Sequence, residues 1–302
     1  MEQDMTKGSP FRVLIMFTLP LAIGNIFQQL YNMADTIIVG RYVGADALAA
    51  VGSTGTVMFL LNGFAQGITA GFSVLTAQRF GAGKKEGVKE SVTNGVLLSI
   101  IGAILFTVLS CRIMNPLLHL MNTPENIFAQ AYEYISLISL GMVANVFYNL
   151  FSSYLRAVGN SRMPLVFLVL SACLNVVLDL ILIINFKMGV AGAAWATVIA
   201  QVLSALLSLA AIMKEKELIR FTREFLRIRM GMLKQTLKVG IPSAVQMTRA
   251  GFSWLLVTFL INRYGTDVSA GNGVAIKIKD LCQLLISAMS TGAVSVIAQN
   301  LG

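Results

Sequence analysis

Six stretches of this chain contain no Asp, Glu, Lys or Arg at all: 13–34, 47–78, 91–111, 134–155, 188–213 and 281–302. Each matches or exceeds the roughly 20 residues that an α-helix needs to cross the hydrocarbon core of a bilayer. Two more, 163–186 and 239–262, qualify but for one charge each, Asp179 and Arg249. Eight spans are therefore predicted. In hydrocarbon every backbone amide must be paired within the protein, which leaves only helices or a closed barrel. Barrel strands are about 10 residues long with alternating polarity, so uninterrupted apolar runs exclude them. The fold class that follows is an all-α polytopic membrane protein.

Charged residues make up 12% of the 302 positions, against about 25% in a soluble domain. A water-covered globule is excluded on that ground. The net charge of +9 does not mark a nucleic-acid partner, because no basic stripe is interleaved with aromatics in a polar domain. It follows instead from orientation. With the N-terminus on the cytoplasmic side of the cell membrane, 16 Lys and Arg fall in inside segments and 4 in outside segments, the bias that keeps positive loops inside. The loop at 79–91 is thus expected inside, and those near Arg41, His119 and Lys187 outside. Cys111, Cys173 and Cys282 stand alone in apolar sequence, which indicates neither a disulfide framework nor a metal knuckle. A single His and no paired acids within a span argue against an enzyme. The first residues lack a basic n-region, so the first apolar run reads as a retained helix.

The chain repeats itself. Pro20 in Leu-Pro-Leu-Ala recurs 222 residues later as Pro242 in Ile-Pro-Ser-Ala, and Arg41-Tyr42 recurs as Arg263-Tyr264 at the same offset. Ala77-Gln78-Arg79-Phe80-Gly81 matches Ala298-Gln299-Asn300-Leu301-Gly302 at offset 221. The first unit holds six spans, an even number, so both units start on the same side of the membrane and are parallel repeats. The predicted organisation is a six-helix bundle over 1–213, a cytoplasmic linker helix over 214–238 and the first two helices of a second bundle over 239–302. A repeat of equal length would continue for four more spans, so the second bundle is expected to be incomplete within 302 residues.

Polar residues inside spans carry the functional signal, because an intramembrane carboxylate is costly and needs compensation. In the first span Asn25, Gln28, Asn32 and Asp35 are spaced 3, 4 and 3 apart, and in the fifth Ser171, Asn175 and Asp179 are spaced 4 and 4. Such spacings place each set on one helical stripe. Asn145, Asn149, Ser152 and Arg156 do the same in the fourth span, and Gly189, Ala193, Thr197 and Gln201 in the sixth. Together these faces are expected to line one wet cavity holding two carboxylates. For Asn25, Asn145, Ser152 or Gln201 taken singly, hydrogen bonding between helices is the favoured role. Gly63, Gly67 and Gly71 form a doubled GxxxG and predict close helix packing. His119 reads as a residue of the short outer loop.

These residues resemble the multidrug and toxic compound extrusion (MATE) transporters over essentially the whole chain. The resemblance lies in Leu19-Pro20-Leu21-Ala22 leading to Tyr31-Asn32-Met33-Ala34-Asp35-Thr36, Gly44 to Gly52, Ala77 to Gly83, Leu155-Arg156-Ala157-Val158-Gly159-Asn160, and Asn175 to Asp179. It implies two six-helix bundles facing a central cleft, and export of bulky amphiphilic or cationic drugs and toxins in exchange for protons or sodium. It also implies a cation site of Asp35, Asn175, Asp179 and Thr197, with sodium or a proton at Asp35 and Asp179. Gln28, Asn32, Asn145 and Asn149 would line the substrate cavity. No cofactor beyond the coupling ion is expected, and the expected partners are drugs or toxins and membrane lipids, with a monomer as the full-length state. The alternative is a flippase for a lipid-linked oligosaccharide, which would need a strongly cationic cavity. The seventh span reads Val245-Gln246-Met247-Thr248-Arg249, with no carboxylate at its middle, so no second-bundle cation site is expected there.

Overall fold

The computed structural model describes residues 4–121, 123–214, 230–262 and 266–302, with parts of the last two segments as backbone alone. Nine α-helices run through them: α1 (Pro10–Tyr42), α2 (Ala45–Gly81), α3 (Lys85–Leu120), α4 (Glu125–Leu140), α5 (Met142–Ala157), α6 (Arg162–Asp179), α7 (Gly189–Lys214), α8 (Met230–Asn262) and α9 (Thr266–Asn300). Among the described residues six helices are long and apolar enough to cross a membrane, or seven if α4 and α5 count as one bent span. His119 lies in the last turn of α3, its ring tilted against Phe128 with centroids 4.4 Å apart, and not in a loop. Residues 230–238 continue into the next span as part of α8 and are not a separate linker helix, while 215–229 lie outside the described residues.

Turn chemistry sets the ends of these helices. Pro10, with its fixed φ and missing N–H, suits the first turn of α1. Gly159 turns the chain after α5 with φ 84°, a left-handed conformation that a Cβ would disfavour. Asn160 Oδ1 then accepts the Met163 N–H at 3.2 Å and satisfies an amide at the start of α6.

Two breaks were not predicted. The fourth span, read as one helix over 134–155, bends by 47° at Gly141 between α4 and α5. Glycine is a poor helix residue, and a Cβ at Gly141 would overlap the Val198 side chain of α7, so the bend lets α7 approach. The fifth span passes from α6 into a π-helical segment, Leu180–Asn185, directly after Asp179. Phe186 N–H donates to Ile181 O at 3.1 Å, five residues back. Inserted turns of this kind occur mostly at functional sites.

The repeat is expressed as reciprocal packing. Lipid tails are as apolar as Leu, so helices in a membrane associate through close van der Waals fit of small residues. A Cβ at Gly67 would lie 2.6 Å from Ala244 Cα, and one at Gly71 would overlap Gly240 Cα, so α2 and α8 meet backbone to backbone. Across the molecule Gly292 of α9 packs on Thr18 of α1. Gly71 and Gly292 are repeat equivalents, as are Thr18 and Gly240. Likewise Gly63 faces Met247 on one side, while Asn25 Nδ2 donates to Leu284 O at 3.0 Å on the other. At the axis Gly81 sits on the Gln299 carbonyl and Gly302 on the Gln78 carbonyl. Each contact maps onto its partner when the two repeats are exchanged, as parallel repeats about an axis along the membrane normal require.

The same end is tied to the chain's start. Gln299, 1% exposed, accepts the Met5 N–H at 3.0 Å and donates to Ala157 O at 2.7 Å. Asn300 Nδ2 donates to Met5 O at 3.2 Å.

Candidate functional site

Helices α1, α6 and α7 bring one polar cluster together. Asn175 and Asp179 are 0% exposed, and Thr197 is 4% exposed. Tyr31 Oη and Asn175 Nδ2 both donate to Thr197 Oγ1 at 3.4 Å. The carboxyl groups of Asp35 and Asp179 lie close enough to interact electrostatically. Spacings of four residues, Tyr31 to Asp35 on α1 and Asn175 to Asp179 on α6, put these side chains on the facing stripes of two adjacent helices.

What sets this cluster apart is unmet acceptor capacity. Asp35 Oδ1, Asn175 Oδ1 and both Asp179 oxygens are buried and have no hydrogen-bond partner. Neither carboxyl pairs with a basic residue among the described residues. A buried acceptor left unpaired costs about 1–3 kcal/mol, more when charged, so four in one place favour any small positive species that meets them. Neutral and anionic oxygens suit a hard cation, and a shared proton would turn one carboxyl into a donor. Ile38, Val39, Tyr134, Ile138, Ile183 and Val190 form an apolar cluster at this level of the bundle, toward the Arg41 and Lys187 end.

The four predicted cation-site residues thus lie together. Tyr31 joins them and was missed as a site residue, although its place four residues before Asp35 was a usable signal. The π segment that follows Asp179 was not legible from the pattern.

The predicted cavity residues divide. A cavity of about 200 Å³ lies between α1, α2, α5, α6, α8 and α9, and Gln28 and Asn149 line it together with Asn25, Gln66, Ser153 and Arg156. Asn32 is exposed and Asn145 buried, and neither lines it. Asn145 instead accepts Asn149 Nδ2 at its backbone O (2.9 Å) and at Oδ1 (3.0 Å), which fixes the Asn149 side chain.

The carboxylates are also separate from this cavity, contrary to the single wet chamber that the stripes predicted. The ten residues from Asn25 to Asp35 advance roughly 15 Å, and at 3.6 residues per turn they fall roughly 80° short of three full turns. The stripe therefore spirals. Its first part faces α9 and the cavity, and its last part faces α6 and α7.

Comparison with known proteins places this geometry. The MatE family model matches residues 20–181. The chain is 30% identical over 309 residues to the probable multidrug resistance protein YoeA of Bacillus subtilis, an alignment covering 99% of this chain and 66% of that one. Among solved structures it superposes with a TM-score of 0.90 and 28% identity on an outward-facing multidrug resistance MATE family transporter of the MOP superfamily, covering 97% of this chain and 65% of the other. A MOP superfamily transporter from Pyrococcus furiosus, titled for the reverse polarity of its binding pocket, gives 0.89 and 28% over the same shares. The chain spans about two thirds of the length of these relatives. With the helical order, the repeat and the motif residues all in agreement, the chain belongs to the MATE family of multi-pass membrane transporters.

Proposed function

We propose that this protein exports bulky amphiphilic or cationic compounds from the cell in exchange for a proton or a sodium ion, by alternating access. The observation that carries this reading is the set of four unpartnered, buried oxygens on Asp35, Asn175 and Asp179 beside Thr197. One ion held between the two carboxyls, with Asn175 and Thr197 as neutral ligands, would tie α1 to α6 and α7. Compounds would enter beside Gln28 and Asn149. Coupling requires the ion and the compound to prefer opposite arrangements of the helices, with the two repeats rocking about their axis. The coupling ion is the only cofactor, and the working unit is a monomer. A flippase for a lipid-linked oligosaccharide would need several cations in its cavity, and among the described residues that line the cavity here Arg156 alone is basic.

The test uses proteoliposomes of the intact protein loaded with a fluorescent amphiphile. Export is expected to rise with an imposed proton or sodium gradient and to stop when both gradients are collapsed. Undiminished export without either gradient would overturn the reading.

Orientation belongs to the same proposal, with the N-terminus cytoplasmic. Single cysteines placed at Lys85 and Lys187 should differ toward an impermeant thiol reagent in intact cells, with only position 187 labelled. Labelling at 85 would reverse the assignment.

A further inference from the structure

We propose that residues 4–8 form a strap that holds the two repeats together at one end of their seam, and that Gln299 is the gating residue it grips. The strap presupposes the alternating-access reading above and names the contact that must break when the repeats rock apart at that end.

The strap is a folded turn. Asp4 Oδ1 accepts the Thr6 N–H at 3.0 Å, and Lys7 Nζ pairs with Asp4 Oδ2 at 3.2 Å. An Asp side chain that bonds the backbone two residues on shapes the chain locally, without help from a helix. Gly8, at φ 97°, then leads into α1. Asp4, Thr6, Lys7 and Gly8 are exposed, while Met5 is 3% exposed and packs with Val13 and Phe17 of α1 and Val296 of α9. The turn thus directs one side chain and one backbone amide into the seam.

The end of α9 is clasped from two sides. Gln299 Oε1 accepts the Met5 N–H at 3.0 Å, its Nε2 donates to Ala157 O of α5 at 2.7 Å, and Asn300 Nδ2 donates to Met5 O at 3.2 Å. The strap and α5 belong to the first repeat, Gln299 and Asn300 to the second. Accepting on one side while donating on the other requires a neutral amide, which neither a carboxylate nor an apolar side chain supplies. Around it the seam is small: Ala77, Ala157 and Ala298 pack together, and Gly81 sits on the Gln299 carbonyl. When this end parts, water can serve the Gln299 amide. When it closes, Gln299 is 1% exposed, and without the Met5 N–H its Oε1 would lose the donor the strap provides. A buried acceptor without a donor disfavours the closed arrangement, whereas a made bond exchanges with water at small net cost. The strap therefore favours closure and still permits release within a cycle.

The experiment measures the distance between spin labels on the intact protein in detergent, with Cys111, Cys173 and Cys282 replaced by Ala and labels on Arg162→Cys and Met230→Cys. Both positions are exposed, one in each repeat. The wild-type strap is expected to give mainly a shorter distance with a minor longer one. Gln299→Leu should raise the longer-to-shorter ratio about tenfold, as loss of two hydrogen bonds of modest net strength allows. Met5→Pro removes the N–H and the buried side chain from a turn outside the helices. It should shift the ratio in the same direction, and it carries the test if Gln299→Leu does not fold. Met5→Leu keeps the N–H and an apolar side chain and should match the wild type, which loss of packing at any exposed turn would not require. An unchanged or lowered ratio in folded Gln299→Leu or Met5→Pro, beside two distances in the wild type, would overturn the strap and leave alternating access standing. A single distance in the wild type and in every folded variant would overturn both. No gradient is involved, so a failure of ion coupling does not alter the result.

Discussion

Asp179→Asn is expected to abolish gradient-driven export while leaving the protein folded. The carboxylate is fully buried, both of its oxygens lack donors, and a second carboxyl, that of Asp35, is close enough to interact with it. Replacing it with an amide of the same shape removes a costly buried charge and adds a donor that Asp35 can accept, so folding should be unharmed or improved. Loss of a coupling free energy of the usual 1–3 kcal/mol removes on the order of 5- to 150-fold in ion-linked affinity. Asp35→Asn should act in the same direction. Thr197→Val should be milder, because it leaves both charges and removes only the acceptor shared by Tyr31 and Asn175. The measurement pairs export from proteoliposomes under a gradient with a melting curve in detergent. Full ion-dependent export by the folded Asp179→Asn protein would remove the acid from the mechanism.

The second large effect is structural and discriminates among three glycines that look alike in the sequence. Gly63→Ala should be close to neutral, since its Cβ would meet Met247 at 3.8 Å, an ordinary contact. Gly67→Ala places a methyl 2.6 Å from Ala244 Cα and 2.7 Å from Ser243 O, and Gly71→Ala drives one into Gly240. Backbone cannot rotate away as a side chain can, so α2 and α8 must separate. Overpacking typically costs about 1–3 kcal/mol, and Gly71→Leu should exceed Gly71→Ala because the added bulk has no gap to enter. Thermal unfolding of the three alanine variants in detergent should rank Gly63 above Gly67 and Gly71. Equal melting for Gly63→Ala and Gly71→Ala would contradict the backbone contact.

Much of this was legible before any coordinates. Uncharged runs announce helices because hydrocarbon tolerates no unpaired amide, and the expense of intramembrane acids singled out Asp35 and Asp179. Their neighbours Asn175 and Thr197 followed from spacing and from the resemblance to a known family. What stayed hidden depends on partners distant in sequence. The bend at Gly141 exists because Val198 comes close, and GxxxG spacing does not say which helix will occupy its groove. The parting of the carboxylates from the Gln28 cavity was inherent in the drift of a 3,4,3 stripe around a helix of 3.6 residues per turn, and the error lay in treating that stripe as straight. Tyr31 went unnoticed because a phenol in an apolar run reads as packing until its hydroxyl is seen to reach Thr197.

The reciprocal seam has a further consequence, best put in the vocabulary of assemblies. Where Gly81 rests on Gln299 and Gly302 on Gln78, one chain contains an isologous interface of the kind that normally joins two identical subunits. Such an interface is closed, because each half consumes the only surface complementary to the other. A head-to-tail contact would leave one copy of each surface exposed, ready to add another molecule and grow a filament. Here the duplicated sequence has turned its two sticky faces on each other, so these surfaces offer a second copy of the chain nothing to polymerise on.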